Sequence, residues 1–98
     1  MLVRISNKII NTDLLAYANV RAIPSENKAT LCVKMFMVFK NKSEVTVEFT
    51  TVLLNDKINL RSVENEVSER IFDLIKNNVL SIDYSRVVSG VLEFLSVK

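Results

Sequence analysis

The chain has 98 residues and contains no histidine, no tryptophan and one cysteine. Without histidine it lacks the commonest general base and the commonest metal ligand of proteins. The single cysteine, Cys32, cannot form an internal disulfide, and a zinc site needs several cysteine or histidine ligands. A thiol with no histidine beside it is largely protonated at neutral pH, so we interpret Cys32 as a packing residue. We therefore predict a protein that is not an enzyme and has no catalytic residues, no cofactor and no metal site.

Glycine and proline occur once each, while hydrophobic residues make up 49% of the chain. A single glycine cannot build a glycine-rich phosphate loop. An apolar chain of this length can bury its own core, which predicts one domain over residues 1–98. No apolar run approaches the roughly 20 residues that span a bilayer, and the first ten residues lack the pattern of a signal peptide. Together with the lone cysteine, these features predict an intracellular, cytoplasmic protein with no membrane partner.

Neither sign of charge predominates, because 13 basic and 11 acidic side chains leave a net charge of +2. This balance is too weak to indicate a polyanionic partner by itself. Acidic residues do recur between Glu64 and Asp73. Carboxylates along one helix face are usually solvated, and a cation site needs several converging oxygens, so we expect an ordinary exposed face there.

The clearest pattern in the sequence is ATLCVKMFMVFK, from Ala29 to Lys40. Its odd positions are all apolar, which predicts a strand with one face in the core. The even positions should then be polar, yet Cys32, Phe36 and Val38 are apolar as well. A second alternating segment from Glu44 to Leu54 predicts the next strand.

These two strands should form a hairpin through Asn41. Their apolar faces coincide only if odd positions pair with odd positions, which excludes a two-residue loop and favours a three-residue one. One such register pairs Lys40 with Glu44, and a shift by two residues pairs Lys34 with Glu48. Both registers bring opposite charges together, so the sequence leaves this choice open.

The flanking segments complete the fold prediction. A short strand is predicted from Leu2 to Ser6, and a loop is predicted from Pro24 to Lys28. Residues 12–20 fit either a strand or a helix. A first helix is predicted to begin near Asn59 or Ser62 and to end at residues 77–78. A second helix is predicted to begin near Asp83, and a terminal strand is the alternative for that segment. Strands followed by helices favour the α+β class, with a mainly antiparallel sheet of three to four strands and two C-terminal helices packed on it. The predicted core comprises Val33, Met35, Met37, Val47, Phe49, Val67, Ile71, Leu74, Val88 and Val91.

If both helices cover the face of the sheet that carries the odd positions of the two hairpin strands, apolar side chains remain on the other face. The N-terminal segment, the last helix or another molecule must then cover them, because an exposed apolar patch usually marks an interaction site. We therefore predict a protein-interaction module, a small regulator or inhibitor whose partner is another protein or a second copy of the chain. The candidate interface residues are Phe36, Val38, Cys32 and Tyr17, with Val52 and Leu15 expected beside them.

The alternative function is a weakly basic nucleic-acid-binding protein. Lys34, Lys40 and Lys42 could form a strip along the hairpin, with Phe36 among them to stack on a base. Glu44 and Glu48 are expected on the same face and weaken its positive potential. This balance of charge favours the protein partner over the nucleic acid.

Overall fold

A computed structural model describes residues 1–53 and 57–96 of the chain. In this part of the chain the elements follow in the order β1 (Leu2–Ile5), β2 (Lys8–Asn11), β3 (Leu15–Pro24), β4 (Thr30–Phe39), β5 (Glu44–Val52), α1 (Leu60–Lys76), β6 (Ser81–Ile82) and α2 (Tyr84–Ser96). The α+β prediction is confirmed, since the strands are mostly antiparallel and both helices follow the first five strands. Leu54, the last residue of the predicted second hairpin strand, lies outside the described residues.

The described strands form two three-stranded sheets. The large sheet has the order β3-β4-β5 and is antiparallel throughout, and the small sheet has the order β2-β1-β6. Here β1 pairs antiparallel with β2 and parallel with β6. Because β6 has only two residues, it shows no periodicity that would predict it from the sequence.

Residues 12–20, left open between strand and helix, form a short 3-10 turn followed by the first part of β3. The turn spans Thr12–Leu14. Its start is fixed by Asn11, whose Oδ1 accepts a hydrogen bond of 3.0 Å from the N–H of Asp13. The helix alternative is therefore wrong. Pairing with β4 along nearly the whole of β3 outweighs the weak strand propensity of its alanines.

The β4–β5 hairpin adopts the register that pairs Lys34 with Glu48, so the pairing of Lys40 with Glu44 is wrong. Lys34 Nζ lies 3.6 Å from Glu48 Oε2, an ion pair that the observed register makes possible. The N–H of Phe39 donates to the carbonyl of Ser43 at 3.0 Å, which leaves a three-residue loop as predicted. Lys42, the last loop residue, has a φ of 69°, as three-residue hairpin loops require.

Both helices begin with a side-chain cap. Asn59 caps α1, because its side chain accepts a hydrogen bond of 3.1 Å from the N–H of Ser62. Asp83 caps α2 as predicted, and its Oδ1 accepts from the N–H of Arg86 at 3.3 Å. The terminal-strand alternative for α2 is wrong. Neither helix, within the described ranges, is long and apolar enough to cross a bilayer.

One hydrophobic core lies between the two helices and the face of the large sheet that carries the odd positions of β4 and β5 and the even positions of β3. Helix α1 lies beside β3, and α2 lies beside β5. The small sheet contributes Val3, Ile5, Ile10 and Ile82 to the same core. Eight of the ten predicted core residues are buried. Phe49 and Leu74 are only half-buried, although both pack against the core. Phe49 is more exposed than predicted because β5 is an edge strand with no neighbour on its outer side among the described residues.

Candidate functional site

The large sheet has one face that neither helix covers, which we call the open face. Cross-strand pairing places the following residues on it: Tyr17, Asn19, Arg21 and Ile23 of β3, Thr30, Cys32, Lys34, Phe36 and Val38 of β4, and Glu44, Thr46, Glu48, Thr50 and Val52 of β5. All of these side chains are exposed or half-buried. The open face is therefore in contact with solvent.

The structure brings the four predicted interface residues together on the open face. Tyr17 lies directly opposite Val38, and Phe36 and Cys32 follow at alternate positions along β4. The side chain of Tyr17 is 60% exposed, whereas Phe36 and Val38 are half-buried because they lie on the central strand between two neighbours. Tyr17, Val38 and Phe36 thus form an apolar band at the hairpin end of the sheet, and Lys34 separates this band from Cys32.

Two more apolar residues lie on the same face, beyond the charged side chain of Lys34. Val52 is exposed at the end of β5 as expected, and Ile23 is exposed opposite Cys32. Ile23 was missed, although its even spacing from Tyr17 would have placed it on the same face. The expectation for Leu15 is wrong, because the register shifts between Leu15 and Tyr17 and Leu15 packs against the core.

Charged residues form a row across the centre of the open face. Arg21 lies opposite Lys34, and Lys34 lies opposite Glu48. Glu48 pairs with Lys34 and also accepts a hydrogen bond of 3.5 Å from the thiol of Cys32. Arg21 forms no ion pair with any described residue. Arg21 is not among the predicted site residues, because the sequence left open whether residues 12–20 before it form a strand or a helix.

The three lysines of the nucleic-acid alternative are not equivalent in position. Lys34 lies on the open face beside Phe36, but its ammonium is paired with Glu48. Lys40 and Lys42 are exposed in the hairpin loop at one end of the sheet. With Glu44 and Glu48 on the same face, the lysines do not form a continuous basic strip.

The other chemical candidates have structural partners. Glu64 Oε2 accepts a hydrogen bond of 2.9 Å from the N–H of Ala22, and Glu66 Oε1 accepts one of 3.1 Å from Arg70 Nε. Within residues 1–53 and 57–96, no three His, Cys, Asp or Glu side chains converge as metal ligands would. Glu64 therefore connects α1 to β3, whereas the Glu66–Arg70 ion pair lies within α1.

Directly beneath the open face, Tyr84 ties α2 to the central strand. Its hydroxyl donates a hydrogen bond of 3.0 Å to the carbonyl oxygen of Val33, and its N–H donates to Ser6 Oγ at 3.0 Å. Burial raises the pKa of the Tyr84 hydroxyl above the usual range of tyrosine, with the Cys32 thiol as a smaller cause. The contact fixes the side of the sheet on which α2 packs.

Neither the N-terminal strand nor the last helix covers the open face. Strand β1 buries Val3 and Ile5 in the core on the opposite side of the large sheet. Helix α2 buries Tyr84, Val88 and Val91 in the same core. Neither element crosses to the open face. Of the three covers considered from the sequence, another molecule is the one that the described residues leave available.

Comparison of the chain with protein-family models, with curated proteins and with solved structures finds no match.

Proposed function

We propose that this protein is a non-enzymatic interaction module, a small regulator or inhibitor that binds a protein through the open face. The observation that carries the proposal is the apolar band of Tyr17, Phe36 and Val38 on a sheet face that faces solvent. An antiparallel sheet can have one wet face, but that face is ordinarily polar. A partner that covers the band would remove it from water.

The composition of the open face suits a protein contact. Aromatic residues are enriched at the centres of protein interfaces, and polar residues are enriched at their rims. Phe36 lies on the central strand, between Asn19 and Thr46, where a partner would shield it completely. Buried aromatic anchors of this kind commonly account for most of the binding energy.

The test compares Phe36→Asp with a matched control. Ile9→Asp introduces the same charge at an exposed apolar residue of β2, on the small sheet. Each protein serves as bait for a native lysate and is also examined by sedimentation over a range of concentrations. We expect the wild type and Ile9→Asp to associate, with a second copy or with a retained protein, and Phe36→Asp to lose that association while keeping the same circular dichroism spectrum.

Three results would contradict this function. A wild type that associates with nothing, or an association that Phe36→Asp leaves unchanged, would remove the open face as a binding surface. Failure of Phe36→Asp to fold would show that this face belongs to the core of the protein.

Nucleic-acid binding remains the alternative proposal, with Lys34, Lys40 and Lys42 as its contacts. It predicts binding to oligonucleotides that weakens steeply with salt and that is lost when these lysines are replaced, because phosphate contacts release counterions. Treating the lysate with nuclease before the pull-down separates the two functions. The absence of oligonucleotide binding at low salt would reject the alternative.

A further inference from the structure

The charges on the open face are segregated by strand. Strand β3 contributes one charged side chain, the cation Arg21, and β5 contributes two, the carboxylates Glu44 and Glu48. Between them, Lys34 of β4 is already paired with Glu48. One edge of the open face is therefore positive and the other is negative.

Because the charges are segregated, they favour some arrangements of two stacked copies over others. Most homo-oligomers are two-fold dimers, and for two sheets packed face to face the axis lies in the plane between them. An axis perpendicular to β4 places β3 over the partner's β3, so that Arg21 meets no carboxylate of β5. An axis parallel to β4 places β3 over the partner's β5. Of these two arrangements, only the parallel axis brings the opposite charges of the two edges together.

We propose that the occupant of the open face is a second copy of the chain, related by a two-fold axis parallel to β4. This inference rests on the proposed function and names its partner. Arg21 of each copy then faces the partner's Glu48, and Phe36 packs near the axis against its counterpart. Lys34 also meets its counterpart, but each of these ammonium groups is neutralised by the Glu48 of its own chain.

The size of the open face sets the expected strength of this dimer. Three strands about 4.8 Å apart and nine residues long cover a footprint of about 14 Å by about 30 Å. That is smaller than the roughly 800 Å² that each partner buries in a standard interface. We therefore expect a reversible dimer with a dissociation constant in the micromolar range or higher. Added salt should weaken this association further, because it screens the charges.

Two charge reversals test the pairing. Arg21→Glu places a carboxylate opposite the partner's Glu48, and Glu48→Lys places an ammonium opposite the partner's Arg21. Each variant should dimerise about tenfold more weakly than the wild type, or worse, because each symmetric pair changes from attraction to repulsion. An equimolar mixture of the two variants should recover most of the wild-type association, since both facing pairs are then of opposite charge.

Mixing changes nothing within either chain, so recovery in the mixture can come only from contacts between copies. Arg61→Glu, at an exposed position on α1, makes the same charge change away from the open face and should leave dimerisation unchanged. Sedimentation equilibrium measures the wild type, the three variants and the mixture, and circular dichroism checks their fold. Unchanged association of both single variants, or no recovery in the mixture, would overturn the parallel axis.

A distance measurement tests the same geometry in a protein that keeps both Arg21 and Glu48. A spin label is attached to Lys40→Cys in a Cys32→Ser background, at the exposed end of the hairpin. The parallel axis places the two labelled backbones about 10 Å apart, the spacing of stacked sheets, whereas a perpendicular axis separates them by about 30 Å or more. Short distances by double electron–electron resonance support the proposal, and long distances overturn it.

The outcomes separate this inference from the proposed function. A wild type that stays monomeric at millimolar concentration would overturn the homodimer. The proposed function would still stand in that case, provided that a different protein is retained by the wild type and lost with Phe36→Asp. If Phe36→Asp changes no association at all, both fail.

Discussion

The hydroxyl of Tyr84 donates a hydrogen bond of 3.0 Å to the backbone carbonyl of Val33, across 51 positions of sequence. The Tyr84 side chain is only 1% exposed, and Val33 is fully buried on the central strand. The same residue bonds through its N–H to Ser6, which follows β1. Tyr84 thus links α2 to the large sheet through its hydroxyl and to the end of β1 through its backbone N–H, and it holds the helix on the face opposite the candidate interface.

Replacing Tyr84 with phenylalanine should remove this hydroxyl bond and keep the ring in place. We expect a loss of about 1 kcal/mol of unfolding free energy, the usual net contribution of one hydrogen bond. Tyr17→Phe is the matched control, because the Tyr17 side chain is mostly exposed and surface changes usually cost less than about 0.5 kcal/mol. Urea denaturation of the three proteins makes the comparison. Equal midpoints for the wild type and Tyr84→Phe would show that the bond contributes nothing.

The same pair of proteins should respond differently to alkaline pH. Burial raises the pKa of Tyr84. The folded protein therefore keeps the hydroxyl proton at a pH where the unfolded chain, with a tyrosine pKa of about 10, has lost it. Stability from this group is complete below that pH and decreases as the pH rises towards the folded pKa. Tyr84→Phe lacks the group and its pH dependence. The difference in unfolding free energy between the two proteins should therefore shrink between about pH 8 and about pH 11, and a constant difference would contradict the assignment.

The sequence predicted those features of the fold that depend on local alternation. In β4 the odd positions from Leu31 to Phe39 are all buried, as their pattern requires. The same alternation placed Phe36 and Val38 together on the opposite face. It could not choose the hairpin register, because both options satisfied the pattern, and the contact of Lys34 with Glu48 exists only in the folded hairpin.

Features that depend on distant contacts could not be read from the sequence. Strand β6 forms because Ser81 and Ile82 align with β1, almost 80 positions earlier. The irregular pairing between Leu15 and Tyr17 moves Leu15 into the core, although unbroken alternation would keep both on one face. Arg21 gains its significance only from the neighbouring strands, which place it at the opposite edge of the face from Glu48.

The outer edge of β3 is covered by a side chain of α1, and this contact can be tested. Glu64 Oε2 accepts the hydrogen bond from the N–H of Ala22 at 2.9 Å, on the side of β3 away from β4. Glu64→Ala should cost about 1 kcal/mol and leave this N–H without its acceptor. Hydrogen exchange followed by NMR should then show faster exchange at Ala22.

Two variants serve as controls for the edge contact. Glu64→Gln retains a side-chain oxygen that can accept the bond, so it should keep most of the protection at Ala22. Glu69→Ala removes a carboxylate from an exposed position of the same helix and should leave Ala22 unchanged. If Glu64→Ala left the exchange rate of Ala22 as it is in the wild type, another group would have to protect this edge.

The last prediction concerns Gly90, which lies inside α2 where glycine costs about 1 kcal/mol relative to alanine. A Cβ at this position would lie 3.3 Å from Nη1 of Arg70, whose guanidinium carbon is 5.3 Å from the centre of the Phe94 ring. Because Nη1 is the end of a flexible side chain, a small shift can relieve the crowding. We expect Gly90→Ala to stabilise the protein by about 0.5 kcal/mol, with part of the helical gain offset by this displacement. In an Arg70→Ala background the offset disappears, so the same substitution should there give the full gain. Thermal and urea unfolding of the four proteins measures both values, and a destabilising Gly90→Ala would mean that the Arg70 side chain is too firmly held between the helices to move.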